Sequence, residues 1–287
     1  MQEIGNIVAK ADINLVDETF DVSQSGNCHL SIQTESDGLS FCVFNTVINK
    51  YIVLRHYPFL NADPNELRFI FENDDLLGLK YKSSGHLWVS PRSTLIPYDL
   101  FDADQTDSCL AFNQGATTGE QTQYNYLKSA NLYNIFSCPE TLMDSLLKRQ
   151  PKIRWYHQTA PLIESLATKM SSPEKRILLF FYSGYLDILV VENKNLLFYN
   201  SFQINAPEDS VYYLVGVSNL FDINLLSTKL MYAGDLKRIS PKIAVLGNYF
   251  GNLIECEPPH AVTYSYLITE PLRKNFINLF NLYGCES

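Results

Sequence analysis

Two stretches of this 287-residue sequence have the same layout. TESDGLSFCVFN (34–45) and FYSGYLDILVVEN (181–193) each hold an apolar strand, a tight turn and a second alternating strand. Such turns between alternating strands predict β-hairpins, because Gly and Asp tolerate the backbone of a tight turn. A third strand follows each hairpin, at 51–59 and at 195–204. A chain that builds the same three-strand meander twice is expected to contain two units of like topology.

The elements after each meander also match, because hydrophobic periodicity changes from the period of a strand to that of a helix. After the first meander we predict a helix over 63–77, a strand over 86–91 and a short helix from about 97. After the second we predict a helix over 205–223, a strand over 228–234, a helix over 240–250 and a strand over 252–258. Both units therefore have the order strand, strand, strand, helix, strand, helix. This order predicts an α/β fold class with mixed sheets.

The repeat divides the chain into two predicted domains. The first covers 1–171, with a polar lead-in that includes a strand near 13–16, and the second covers 172–287. Residues 103–128 are polar and rich in Gly, Thr and Gln, which predicts a long loop or a small insertion in the first domain. A strand (131–136), a helix (139–150), a strand (152–158) and a helix (160–170) complete that domain. The second domain ends in an amphipathic helix over 268–284.

Composition narrows the classes of function. The formal charge is −9, from 22 basic and 31 acidic residues, and Lys and Arg form no cluster, so nucleic acid is not an expected partner. The most apolar run, 177–191, is interrupted by Ser183, Gly184 and Asp187, which favours a pair of strands over a membrane span. The N-terminus lacks the pattern of a secretory signal, and the six cysteines include no CxxC. We expect a cytoplasmic protein without disulfides.

Other chemical motifs are weak. The histidines lack metal-ligand spacing and are expected at strand ends or on the surface: His29, His56, His86, His157 and His260. The aspartates at 99, 102, 104 and 107 lack the Gly and Glu of a calcium-binding EF-hand loop, which favours a solvated acidic loop. No GxSxG motif is present. Asp187 interrupts an apolar strand, and it either faces an interdomain cleft or, as is commoner on alternating strands, points outward.

The order of elements resembles the actin-like ATPase superfamily, whose members are built from paired ribonuclease-H-like domains. More narrowly, the chain is similar to a bacterial family of unknown function that shares this fold. The resemblance covers nearly the whole chain and rests on the order of elements. It implies duplicated ribonuclease-H-like domains whose first turns face each other across a cleft.

The resemblance also implies where a nucleotide would bind. In the superfamily the first turn of each domain is a phosphate loop, in which an Asp holds Mg²⁺ through water and glycines approach phosphate. The matching positions here are Asp37, Gly38, Ser183, Gly184 and Gly234. Other turn positions depart from the pattern, with bulky residues where Gly or Thr is usual. The chain has 13 glycines and no adjacent pair, below the roughly 7% that is usual.

These departures favour a protein without catalytic activity and without a cofactor, which acts as a scaffold or binds another protein. The alternative is a divergent nucleotide-binding switch or phosphotransferase that uses Mg·ATP in the interdomain cleft. A third possibility is a structural protein that associates with itself. A cleft filled by Tyr182, Tyr185 and Tyr232 would favour the scaffold, and an open polar cleft backed by Gly234 would favour the nucleotide switch.

Overall fold

A computed structural model describes residues 10–59, 64–167 and 173–286. The strands of these segments are β1 Ile13–Val16, β2 Cys28–Glu35, β3 Gly38–Asn45, β4 Lys50–Pro58, β5 Ser83–Trp88, β6 Ser93–Pro97, β7 Glu120–Leu127, β8 Leu132–Pro139, β9 Arg154–His157, β10 Arg176–Phe181, β11 Tyr185–Glu192, β12 Asn195–Gln203, β13 Leu230–Ala233, β14 Leu253–Glu255 and β15 Thr263–Tyr264. The helices are α1 Pro64–Asn73, α2 Thr106–Gln114, α3 Glu140–Arg149, α4 Thr159–Pro161, α5 Asp209–Leu220, α6 Leu236–Tyr249, α7 Glu270–Asn275 and α8 Ile277–Asn281. A π-helical turn, Leu162–Leu166, continues α4.

The two large sheets have the same plan. In the first, the antiparallel meander β2–β3–β4 continues on one side with β5 and β9, which run parallel to β2. In the second, the antiparallel meander β10–β11–β12 continues with β13 and β14, which run parallel to β10. A three-strand meander with parallel crossovers therefore occurs twice. The predicted α/β class with mixed sheets is confirmed.

The faces of the second sheet pack against different partners, because side chains alternate along each strand. Ile177 and Leu179 of β10 belong to a buried cluster with Leu214 of α5 and Leu246 of α6. The intervening side chains of β10 belong to a central cluster that includes Leu162, Leu127 and Leu282. The second sheet therefore presents one face to its own helices and the other to the first unit and the chain end.

The structure corrects two sequence predictions in the first unit. The short helix expected from residue 97 is a strand, β6, followed by a 3₁₀ turn over Tyr98–Leu100. Residues 103–128 hold α2 and β7, so the long-loop interpretation is wrong. Strands β6, β8 and β7 form a third, small antiparallel sheet in that order. The strand β7 was missed because its tyrosines are exposed and its buried positions include Asn125, which inverts the usual hydrophobic pattern.

The last segment of the chain covers the first sheet. Strand β15 pairs in parallel with β4, and the hydroxyl of Tyr51 donates a hydrogen bond to the carbonyl oxygen of Phe280. The single helix predicted over 268–284 is interrupted at Phe276 and consists of α7, α8 and a 3₁₀ turn. The predicted domain boundary at residues 171 and 172 lies outside the described residues. No described helix is long and apolar enough to cross a membrane.

Candidate functional site

A cleft of about 480 Å³ lies where the two sheets and the chain end meet. The first sheet contributes the β2–β3 turn and parts of β1 and β4, the second contributes the end of β10 and the start of α6, and α7 and α8 close one side. The cleft contains four of the five sequence-predicted site residues: Asp37, Gly38, Ser183 and Gly234. The turns of the two meanders therefore line one cavity.

The fifth predicted residue, Gly184, lines a neighbouring cavity. Ser183 and Tyr182 form part of the wall of both cavities. Gly184 has a φ of +82°, which the turn between β10 and β11 requires, and the space beside its Cα is open. The structure thus brings the five residues together at adjoining cavities, and whether they bind a ligand stays a prediction.

An ion pair crosses the cleft at the position that the resemblance assigns to magnesium. Nη1 of Arg238, in the first turn of α6, contacts Oδ2 of Asp37 in the β2–β3 turn. Nε of Arg238 lies 3.2 Å from Oδ2 of Asp235, whose other oxygen accepts a hydrogen bond from the backbone N of Lys237 and caps α6. Arg238 therefore holds two carboxylates, one from each unit.

Sequence reasoning missed Arg238 because it placed the start of α6 at residue 240. A usable signal is present in the sequence. Asp235 follows Gly234 as an N-cap residue, and Arg238 stands three positions later on the same face of the helix. Its partner Asp37 could not be found in this way, because the two residues are 201 positions apart.

A second carboxyl group lies beside this ion pair. Burial raises the pKa of Glu35 to about 7, and the nearby charge of Asp37 raises it further, while a hydrogen bond from Gln33 opposes the shift. The amide of Gln33 donates this bond to Oε1 of Glu35. The floor of the cleft therefore holds a carboxyl group that is about half protonated at neutral pH.

The polar side chains deeper in the cleft are held by neighbours within the protein. The Oγ atom of Ser40 lies 2.8 Å from Nδ1 of His56, and burial lowers the pKa of His56. The neutral imidazole is therefore favoured at neutral pH. Nδ2 of Asn278 donates a 3.1 Å hydrogen bond to the hydroxyl of Tyr182. These contacts fix the wall of the cleft and leave no general base with an obvious substrate.

Two of the predicted glycines are explained by packing. A Cβ at Gly38 would lie 2.7 Å from Cε1 of His56 and 3.0 Å from the carbonyl oxygen of Tyr57. Gly234 has a φ of +137°, and a Cβ there would lie 2.6 Å from the carbonyl oxygen of Phe181. The close approach that each glycine allows is to the protein's own chain.

The three tyrosines expected to fill the cleft do not fill it. Tyr182 is buried and stacks on Phe180 and on Tyr185, with ring centroids 4.6 and 5.0 Å apart. These rings form a wall of the cavities. Tyr232 packs against the cluster on the opposite face of the second sheet. The tyrosines therefore do not decide between a scaffold and a nucleotide switch.

Asp187 and three histidines lie in places that the sequence did not predict. Asp187 is fully buried, so the outward orientation is wrong. The register places it opposite Ser201 on a strand that is buried on both faces. Ser201 and Tyr199 donate hydrogen bonds to its carboxylate. His29, His86 and His157 are also fully buried and are hydrogen-bonded to neighbouring hydroxyl groups.

Comparisons with known proteins agree with this fold. A crystal structure from Bacteroides thetaiotaomicron VPI-5482, of a protein with an actin-like ATPase fold and unknown function, is 26% identical over 83% of this chain and 94% of that one, with a TM-score of 0.78. The PilM–PilN type IV pilus biogenesis complex contains a chain that is 11% identical over 90% of this chain and 99% of its own length, with a TM-score of 0.57. A search of curated proteins gives no match.

These likenesses establish an actin-like ATPase fold, as the order of elements predicts. The profile of one sequence family, "Protein of unknown function (DUF3822)", matches residues 17–253. That range includes both meanders and most of the residues that line the cleft. The chain therefore belongs to the DUF3822 family.

Proposed function

We propose that this protein is a non-catalytic, cytoplasmic member of the actin-like fold that acts by binding another protein. The observation that carries the proposal is the contact between Arg238 and Asp37. In an ATPase of this fold an Asp at that turn would hold Mg²⁺ through water. Here the protein's own arginine neutralises the carboxylate and occupies the space between the turns.

The remaining charges of the cleft do not fit a nucleotide triphosphate. Four acidic side chains line the cavity, with two basic side chains, and Arg238 is already paired with two of the acids. The acidic members are Asp12, Glu35, Asp37 and Asp235. Polyphosphate binding needs donors and positive charge in excess, so this balance is unfavourable. Gly234, expected to expose backbone to a nucleotide, faces Phe181 instead.

The protein-binding part of the proposal rests on two further observations. The chain of the PilM–PilN complex shares this fold over nearly its whole length, and that structure is an assembly of two proteins. Several large apolar side chains are also exposed on this chain, including Phe112, Leu100 and Tyr212. The cytoplasmic part is supported by six cysteines that form no disulfide.

A nucleotide-dependent switch or phosphotransferase is the second candidate. Its support is the volume of the cleft, since about 480 Å³ is within the range of small-molecule sites. Asp37, Gly38, Ser183, Gly184 and Gly234 would then surround Mg·ATP. For that arrangement Arg238 would have to leave Asp37.

Thermal unfolding with and without 5 mM Mg·ATP, Mg·ADP or Mg·GTP separates the two candidates. A nucleotide at 100 times its dissociation constant would stabilise the fold by about 2.7 kcal/mol. We expect no change in melting temperature for the wild type. A rise that Asp37→Ala abolishes and Arg238→Ala increases would overturn the non-catalytic assignment.

The protein-binding part needs its own measurement. The tagged full chain, isolated from its own cells, is expected to retain one protein in constant stoichiometry after washing and in the presence of each nucleotide. Sedimentation of the purified chain at increasing concentration tests for self-association. A chain that retains no protein and only assembles with itself would favour the structural protein over the partner-binding module.

A further inference from the structure

The small sheet carries a group of aromatic rings that its own helix does not cover. Helix α2 packs on one part of the sheet, where Leu110 and Ile135 are buried. The adjoining part of that face carries five aromatic side chains, which we call the aromatic patch: Tyr98, Phe101, Tyr124, Tyr126 and Tyr133. The register places Tyr126 opposite Tyr133, and the other rings lie against these two strands.

The rings of the aromatic patch support each other and remain open to solvent. Phe101 stacks on Tyr133 with centroids 3.7 Å apart and planes 12° from parallel, and it contacts Tyr124 at 4.9 Å. Tyr98 lies 5.4 Å from Tyr126. Nevertheless Tyr98 and Tyr124 are each 48% exposed and Tyr126 is 44% exposed. A preformed platform of rings therefore faces the solvent, which is uncommon where no partner covers it.

The charge beside the aromatic patch indicates what would cover it. The segment 93–107, which supplies Tyr98 and Phe101, contains four aspartates and no Lys or Arg: Asp99, Asp102, Asp104 and Asp107. All four are exposed, and none forms an ion pair with any residue of the described segments. The aspartates flank the rings directly in sequence, so the negative charge lies at the border of the patch.

We propose that the aromatic patch binds an arginine-bearing segment of a partner protein. A guanidinium group stacks on aromatic faces and pairs with carboxylates through its fork of N–H donors, so it matches both halves of this surface. An apolar segment would leave the four aspartates unpaired, and a second copy of this chain would bring a like charge against them. The inference rests on the proposed protein-binding function and names the chemistry of the partner.

The first test titrates the purified full chain with a fluorescein-labelled peptide of alternating Arg and Gly, followed by fluorescence anisotropy. Peptides with Lys or Glu in place of Arg are the comparison. We expect saturable binding of the Arg peptide, several-fold weaker binding of the Lys peptide and none of the Glu peptide. Equal binding of Arg and Lys peptides would mean that only net charge is read, and it would overturn the proposal.

Matched variants locate the binding. Tyr98→Ala with Tyr124→Ala removes two exposed rings from the patch, and we expect the dissociation constant to rise by about two- to fivefold for each ring. Tyr212→Ala with Tyr249→Ala removes two exposed tyrosines elsewhere and should have no effect. Equal weakening by both pairs, or by neither, would overturn the assignment to this surface.

A second matched pair tests the acidic border. D99N with D104N and E18Q with D144N each remove two exposed carboxylates and change the net charge equally. Only the first pair is expected to weaken peptide binding and to reduce its dependence on salt. The cellular partner gives the distinguishing result: a protein retained by the wild type and equally by the patch variants would leave the protein-binding function standing and would overturn the aromatic patch as its site.

Discussion

The buried carboxyl group of Asp187 should make this protein less stable as the pH rises. Asp187 is fully buried, and its hydrogen-bond donors are the neutral side chains of Ser201 and Tyr199. Burial raises the pKa of Asp187 from its ordinary 3.8 to about 7, although these bonds oppose the shift. The folded chain therefore holds a proton on Asp187 between about pH 4 and pH 7, where the unfolded chain has lost it.

The size of the effect follows from that difference. Each pKa unit is worth about 1.36 kcal/mol, so the free energy of unfolding should fall by about 4 kcal/mol between pH 4 and pH 8. About 3 kcal/mol of this loss lies between pH 5 and pH 8, and the loss levels off above pH 7. Asn at this position keeps an acceptor for Ser201 and does not titrate. Asp187→Asn should therefore gain about 3 kcal/mol relative to the wild type between pH 5 and pH 8.

Urea unfolding at pH 5, 6, 7 and 8 measures this difference, because other titrating groups are shared by both proteins and cancel. Asp144→Asn, which removes an exposed carboxylate from α3, is the control and should follow the wild type at every pH. Asp187→Ala should show the same relative trend from a lower starting stability, since it also loses the hydrogen bonds. Parallel curves for Asp187→Asn and the wild type would refute the reasoning.

Three further outcomes can be measured by urea unfolding. Gly234→Ala should cost about 2–4 kcal/mol because its Cβ would overlap a carbonyl oxygen, whereas Gly184→Ala, at a positive φ with open space, should cost about 1–2 kcal/mol; equal costs would contradict this explanation. Arg55→Met should cost about 3–5 kcal/mol because the carboxylate of Asp74, 2.7 Å from Nη1, would stay buried without its partner; a neutral result would show that the site relaxes. Glu35→Gln should flatten the fall in stability as pH rises towards 7, and an unchanged slope would mean that Glu35 titrates normally.

The sequence was sufficient for the parts of the fold that depend on neighbouring residues. The strands of both meanders follow from alternation and turn chemistry, so β10 and β11 could be placed within a few residues. The pairing of Asp37 with Arg238 and the burial of Asp187 depend on how distant strands and helices come together. Local sequence contains no information on contacts across 201 residues. The strand β7 was missed for a different reason, since its exposed aromatic side chains reverse the usual relation between apolarity and burial.

The contact between Tyr51 and Phe280 also limits the order in which the protein can mature during synthesis. The two residues are 229 positions apart. At roughly 5–20 residues per second, the ribosome adds the second residue about 10–50 s after the first. During that interval the apolar surface around Cys42, Phe44 and Leu54 has no chain end to cover it. The first sheet therefore waits for the last part of the chain, and a nascent chain of this protein should be a substrate for chaperones until translation ends.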